Sequence, residues 1–445
     1  MDHKFGAMMA RILKGRFPML ALRSILRPFV LVALTGLALS AQAPVAPTSV
    51  GVAPDRLDRL HKGMQGFVDR KEASGIVTLI AREGKTVDLH AVGFADVEKN
   101  VPMKTDAIFR IASMTKPITS VAIMMLFEEG RLFLTDPVSK FIPAFKSSTV
   151  LEAGSTAAVP ARRAITIRDL LAHKGGITYG FLNGGAVGGG YRKNGVTDGL
   201  TQTSMTLEEG INKLAAEPLV SQPGDRFNYS LSTDVLGRVV EVVSGQPFNV
   251  FLRERIFKPL KMNDTDFVVA EAKWPRFVTV YSPDGKGGIR PMTDPESFGN
   301  THMSPWASYK EGKTYFSGGA GLTSTASDYA RFANMLLGGG AFEGVRLLGP
   351  KTIEMMTISH TSELTPPLQL LGPGVNFGLG FRVVTDLAST QTLGSNGLFG
   401  WSGIYGTTFW VDPKEKLVAV MMVQKYPAPT VAAMFQPMVY QALVR

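Results

Sequence analysis

Apolar residues at Leu57, Leu60, Met64 and Phe67 recur at helical spacing, so residues 54–72 read as an amphipathic helix. The period then shortens. "GIVTLIAREGKTVDLHAVGFAD" holds two β-rich runs joined at Gly84-Lys85, the pattern of a hairpin. From about Ser113 the helical period returns, with Ile118, Val121, Ala122, Met125 and Leu126 on one stripe. "ITIRDLLAHKGG" predicts a short helix closed by Gly175-Gly176, and residues 179–195 read as a glycine-rich loop. Further helices are expected near 206–217, 232–244, 247–257 and 327–337. "FGLGFRVV", "SGIYGTTFWVD" and "LVAVMMVQ" predict strands, with a turn at Asp412-Pro413-Lys414 and a last helix from about Thr430. Strands at both ends bracket a helical middle. That order is not the strand–helix alternation of a parallel sheet. It predicts an α+β fold: an antiparallel sheet built from both chain ends with flanking helices, and an inserted, mainly helical region at roughly 135–315.

The chain's 445 residues are 45% hydrophobic, which allows a large core and excludes wholesale disorder. There is no cysteine, so disulfides, thiolate metal sites and cysteine nucleophiles drop out. None of the six histidines lies in a His-Glu-x-x-His pattern, and no metal or cofactor is implied. Residues 1–43 read as an export signal: Arg16, Arg23 and Arg27 precede a short apolar run, and Ala41-Gln42-Ala43 fits a cleavage site. An uncleaved membrane anchor is the alternative. Either way the expected location is outside the cytoplasm, periplasmic or secreted. Residues 44–53 then form a linker and 54–445 one domain. The leader holds six Lys/Arg and one Asp, so half of the +10 net charge belongs to it. No basic cluster remains to suggest nucleic-acid binding.

The stretch "ASMTKPITS" carries the candidate chemistry. Pro117 lacks an N–H and belongs in a first helical turn, so the helix starts close to Ser113. Lys116, three residues on, shares a face with Ser113 and can reach its hydroxyl. A serine needs a base, and a lysine serves only as the free amine. The positive end of the helix favours both that amine and an alkoxide. Taken alone, the same four residues equally describe an N-cap and a solvated lysine. No Gly-x-Ser-x-Gly elbow offers a competing nucleophile.

"FRIASMTKPITS", "PGDRFNYSLSTDVLG" and "GSNGLFGWSGIYGTTFWVDPKEKL" occur in the order of three active-site segments, with "LLAHKGGITYG" and "IFKPLKMNDTDF" between and after the first two. Together they make the chain resemble the serine β-lactamase and penicillin-binding-protein superfamily, most closely the family VIII carboxylesterases. The resemblance spans about residues 54–425. It implies that Ser113 is the acylated nucleophile, Lys116 its activating partner and Tyr229 a proton shuttle. It also implies an oxyanion hole of the Ser113 and Ile404 N–H groups, with Leu231, Trp401 and Gly403 at the substrate.

Two departures bear on specificity. Penicillin-recognising members have Tyr-x-Asn where this chain has Tyr229-Ser230-Leu231, and Leu231 cannot hydrogen-bond a substrate amide. They have Lys-Thr-Gly or His-x-Gly where this chain has Trp401-Ser402-Gly403, and Trp401 offers no charge to a carboxylate. His173-Lys174-Gly175 matches His-x-Gly but precedes the tyrosine, and reads as structural. The expected activity is therefore ester hydrolysis through an acyl-enzyme. A class C-like β-lactamase or D-amino-acid peptidase, an acyl-transferring transesterase and a non-catalytic peptidoglycan or penicillin sensor remain open. The expected partner is a small ester or amide, with no nucleic acid and no stable membrane partner unless the leader stays attached.

Overall fold

A computed structural model describes residues 44–364 and 371–445. The expected leader, residues 1–43, lies outside the described residues.

Helix α1 (Pro54–Asp69) opens the domain, with Pro54 supplying the preset φ of a first helical turn. Strands β1 (Gly75–Arg82) and β2 (Lys85–Asp96) form the hairpin, and β3 (Val101–Pro102) extends it. The chain's second half adds β4 (Val375–Phe377), β5 (Arg382–Val384), β6 (Phe399–Ser402), β7 (Thr408–Asp412) and β8 (Leu417–Met422). The eight strands pair in the order β4-β5-β6-β7-β8-β1-β2-β3. β1 and β8 meet antiparallel, from Val77 opposite Met422 to Arg82 opposite Leu417. The sheet is thus closed by strands from the two ends of the described chain.

Side-chain alternation explains why both central strands read as continuous apolar runs. Val77, Leu79 and Ala81 of β1, with Val418, Val420 and Met422 of β8, enter the larger core. Ile76 and Ile80, with Leu417, Ala419 and Met421, enter a second core under α1 and the C-terminal helix Val431–Tyr440. A strand covered on both faces reads as a near-continuous apolar run, here broken in β1 by the buried Thr78 and Arg82. Each buried Val, Leu, Ile or Met among them contributes roughly 1.5–3 kcal/mol, so Leu79→Asp would break the sheet at its centre.

The large core is filled by α2 (Thr115–Glu128) and, from the intervening region, α3 (Ile167–Leu171), α4 (Ala186–Lys193), α5 (Leu207–Ala215), α6 (Ser232–Ser244) and α7 (Phe248–Leu252), then by α8 (Ala326–Leu337). The region expected to be mainly helical also contains small hairpins, such as Tyr281–Pro283 with Ile289–Pro291. Residues 179–195 are not all loop. Val187 and Tyr191, four apart and buried, anchor α4 despite its three consecutive glycines. Helix α2 also differs from its expected single stripe: every residue from Thr115 to Leu126 is buried, so it runs through the core. It ends where Gly130, at φ +69°, lets Arg131 N–H reach back to Leu126 O.

Candidate active site

Ser113 sits in a 3₁₀ turn, Ala112–Met114, that leads directly into α2. Ala112 before it is fully buried and holds φ +42°, a region that costs a non-glycine residue roughly 1–3 kcal/mol. This sharp entry leaves Ser113 lining a cavity of about 340 Å³. Lys116 lies below it, 0% exposed. Its Nζ is 3.3 Å from Ser113 Oγ, 2.9 Å from Tyr179 Oη and 2.8 Å from Gly319 O. Three oxygens match the three N–H donors of an ammonium. As a free amine, Nζ can instead accept the serine proton along the first of these contacts. The Ser-x-x-Lys spacing therefore makes a buried pair, and the solvated-lysine alternative is excluded by burial.

The Tyr229 hydroxyl accepts the Trp401 indole N–H at 3.3 Å, and its ring, rather than its hydroxyl, faces Lys116 Nζ at 4.6 Å. His173 packs beneath it at 5.0 Å between ring centroids and meets Ser230 Oγ at 3.1 Å. Burial and then the Lys116 charge hold His173 well below the usual histidine range, so it stays neutral. Its structural reading stands.

Trp401, Gly403 and Ile404 line the same cavity as Ser113 and Tyr229. Gly403 is required by space: a Cβ there would lie 2.3 Å from Thr407 Oγ1 and 2.5 Å from Ile111 O. The strand thereby approaches the backbone just before Ser113, and Ile404 follows it into the cavity wall. Leu231 must be corrected. It caps the start of α6 and is buried in the core at 1% exposure, so it does not line the cavity. Lys174 pairs with Glu363, Arg290 pairs with Glu296, and neither they nor Lys313 line it.

Sequence reasoning missed five participants. Tyr179 binds Lys116 directly; burial and then Tyr229 and Asp234 push its pKa well above the usual phenol value, which keeps it a neutral phenol. Gly319 supplies the carbonyl under Lys116, and a Cβ on it would lie 2.5 Å from Asp234 Oδ2 and 3.0 Å from Tyr179 Oη. Asp234 is fully buried; desolvation pushes its pKa up to about 6, against the Ser317 hydrogen bond and the Lys116 charge. Asp198 and Arg382 line the cavity itself. Tyr179 and Asp234 lie inside the segments "LLAHKGGITYG" and "PGDRFNYSLSTDVLG" without having been singled out, and Gly319 was signalled by the glycine cluster Gly318, Gly319 and Gly321, which marks close backbone approach. Among the described residues, no group of three or more His, Asp or Glu could hold a metal ion.

The family model described as Beta-lactamase matches residues 60–438. The chain is 36% identical over 387 residues to Protein Rv1367c of Mycobacterium tuberculosis, covering 85% of this chain and 92% of that one. It is 34% identical over 378 residues to Esterase EstB of Burkholderia gladioli, covering 83% and 91%. The solved structure of "EstCE1, a hydrolase with promiscuous acyltransferase activity" superposes with a TM-score of 0.75 at 29% identity, covering 88% of this chain and 98% of that one. With the serine on its buried lysine and the sheet closed from both ends, the chain belongs to the Beta-lactamase family, as a serine hydrolase related to the family VIII esterases.

Proposed function

We propose that this protein hydrolyses carboxylic esters through an acyl-enzyme on Ser113. The observation that carries the reading is the 3.3 Å Lys116–Ser113 contact at the floor of a mostly apolar cavity. As Ser113 Oγ bonds to the ester carbonyl carbon, its proton leaves through Lys116 and Tyr229. The Ser113 and Ile404 N–H groups hold the oxyanion. Collapse breaks the bond to the alcohol oxygen, which takes that proton. Water then gives a proton to the same pair, attacks the acyl carbon, and the proton returns to Ser113 as its oxygen departs. Tyr179 and Gly319 hold Lys116 in place throughout.

An ester is favoured over a β-lactam because the Trp401 side chain, in the cavity wall, brings no charge to a carboxylate. The name of the EstB relative points the same way. Brief exposure to p-nitrophenyl butyrate, followed by intact mass, should add one butyryl group to the protein and none to Ser113→Ala. The kcat/KM for that ester should exceed the value for nitrocefin by about two to four powers of ten. Comparable values would hand the leading place to a β-lactamase. A second reading, acyl transfer to an alcohol, is supported by the cavity's apolar lining and by the EstCE1 title; alkyl butyrate formed with added alcohol would reveal it. Export belongs to the same proposal and rests on residues 1–43. A mature, extracytoplasmic protein beginning near Pro44 supports it, and a cytoplasmic chain retaining Met1 refutes it.

A further inference from the structure

The cavity lining carries a continuous run of aromatic faces, from floor to wall. Phe181 stacks on Tyr179 at 4.8 Å between centroids, Tyr179 lies 5.5 Å from Tyr229, and Tyr229 lies 5.4 Å from Trp401. All four rings line the cavity. Aromatic faces of this kind attract cations, most of all quaternary ammonium groups that cannot be satisfied by hydrogen bonds.

Two charged residues, Asp198 and Arg382, line that cavity. Arg382 pairs with Gly400 across β5 and β6, whereas Val383 pairs with Phe399, so Arg382 starts from the sheet face opposite Trp401. Burial lowers the pKa of its guanidinium from the ordinary arginine value. Asp198 comes from the segment between α4 and α5. One of its oxygens accepts the Leu200 N–H at 2.9 Å. That bond pins the carboxylate beside Leu200 and Ala320, which pack in one apolar cluster with Ile404. Among the described residues Asp198 has no ion-pair partner, so its charge is left to whatever enters the cavity.

We propose that Asp198, with the Tyr179, Phe181, Tyr229 and Trp401 rings, makes this cavity selective for esters that carry an ammonium group. The proposal rests on the ester-hydrolase reading and names the substrate class of that site. The carboxylate balances the cation, the rings cradle its methyl or methylene surface, and a substrate carboxylate is repelled by the same group. Asp198 is influenced by His302, by Asp234 and by the phenols of Tyr179, Tyr315 and Tyr405. Lys116 below contacts Ser113, Tyr179 and Gly319, and its Nζ also lies 4.6 Å from the Tyr229 ring and 5.3 Å from the Tyr179 ring, so the substrate cation meets those two rings on their remaining surface and Phe181 and Trp401 beside them. Burial pushes the Asp198 pKa up to about 6, so the charge is present at neutral pH and lost below that value.

The test uses two isosteric series. In one, the butyrate ester of choline is compared with that of 3,3-dimethylbutanol, its uncharged carbon isostere, and with a carboxylate-bearing alcohol of the same length. In the other, the same three end groups sit on the acyl chain of an ethyl ester. In at least one series the cationic ester should lead its neutral isostere by about 10- to 100-fold in kcat/KM, the range of one charge-assisted contact. The carboxylate ester should trail. In Asp198→Asn the cation-to-neutral ratio should fall to near unity, whatever the absolute rates. A quaternary ammonium does not titrate, so the wild-type ratio should also fall as the pH drops from 7 to 5. That fall should be absent in Asp198→Asn. A ratio unchanged in Asp198→Asn, or a preference for the carboxylate ester, overturns the inference. Cleavage of the neutral esters with no charge preference removes the inference alone, whereas cleavage of none of them removes the parent reading with it.

Discussion

The floor and the wall of the cavity are built in opposite ways. On the floor, Lys116 is buried and bonded to three oxygens, α2 is buried around its circumference, and Gly319 and Gly403 sit where no side chain fits. On the wall, the 181–200 segment is rich in glycine and Leu182 is 52% exposed. Close packing leaves the floor one geometry, and the chemistry is placed there. Exposed wall positions such as Leu182 support little of the core, unlike the buried Val187 and Tyr191 of the same segment, so they can change sequence and hence specificity. Floor substitutions should therefore cost rate and often stability, and wall substitutions should alter selectivity alone.

The largest expected effect comes from the nucleophile. Ser113→Ala should lower ester kcat/KM by about four powers of ten or more with little change in Tm, since the hydroxyl faces the cavity. Lys116→Ala should approach the same loss and also lower Tm, because Tyr179 Oη and Gly319 O lose their partner at roughly 1–3 kcal/mol each. Equal thermal behaviour of the two variants would break the picture of Lys116 as a structural as well as a chemical anchor.

The two tyrosines sharpen the contrast within the floor. Tyr229→Phe removes a proton carrier and should cost about 10²- to 10⁴-fold in kcat. Tyr179→Phe removes one of Lys116's three contacts and should cost less, about tenfold, with the pH profile of kcat/KM displaced. The reverse order would exchange their roles. Combined with Lys116→Ala, Tyr229→Phe should lose less than the product of the single losses.

Gly403→Ala should cost about 10²- to 10³-fold, the range for a displaced oxyanion donor, since the new methyl overlaps Thr407 and Ile111. Wild-type kinetics in this variant would show that Ile404 N–H takes no part.

A stability effect comes next. Asp234 has its folded pKa raised from 3.8 to about 6 by burial. The folded state therefore holds the proton more tightly than the unfolded one. The resulting stabilisation is complete below pH 3.8 and is lost as the pH rises through 6. Asp234→Asn should thus gain stability relative to wild type, by about 1–3 kcal/mol, between pH 4 and pH 7. Denaturant midpoints at the two pH values measure it, and a constant difference would refute it. The smallest effect is on the wall: Leu182→Ala should change kcat/KM less than about fivefold and leave Tm in place.

Legibility in the sequence followed the same division. Strand periodicity at both ends announced the sheet, and Pro117 located the start of α2 next to Ser113. Tyr229, Trp401, Gly403 and Ile404 were found because each lies in a contiguous segment with a recognisable pattern. Tyr179 and Asp234 lie in recognised segments but were not singled out there, and Gly319 lies in none, because all three acquire their roles only where their segments converge on Lys116. Leu231 failed for a local reason: two residues past Tyr229 the chain has turned into α6, and the side chain points into the core rather than the cavity. Helix α4 was hidden by its glycines, whose low propensity is overridden by the burial of Val187 and Tyr191.

The pairing of β1 with β8 has a consequence for how the protein is made. Val77 and Met422 must meet before the central sheet exists, and nearly the whole described chain lies between them. Contacts so distant along the chain form slowly, because most of the polymer must be synthesised and brought back before they can begin. On the ribosome the first hairpin emerges with one edge unmet and waits for a partner at the other end. During that interval β1, apolar on both faces, is an open template for aggregation. Yield in a foreign host should therefore depend on chaperone supply and synthesis rate more than on the thermal stability of the finished enzyme.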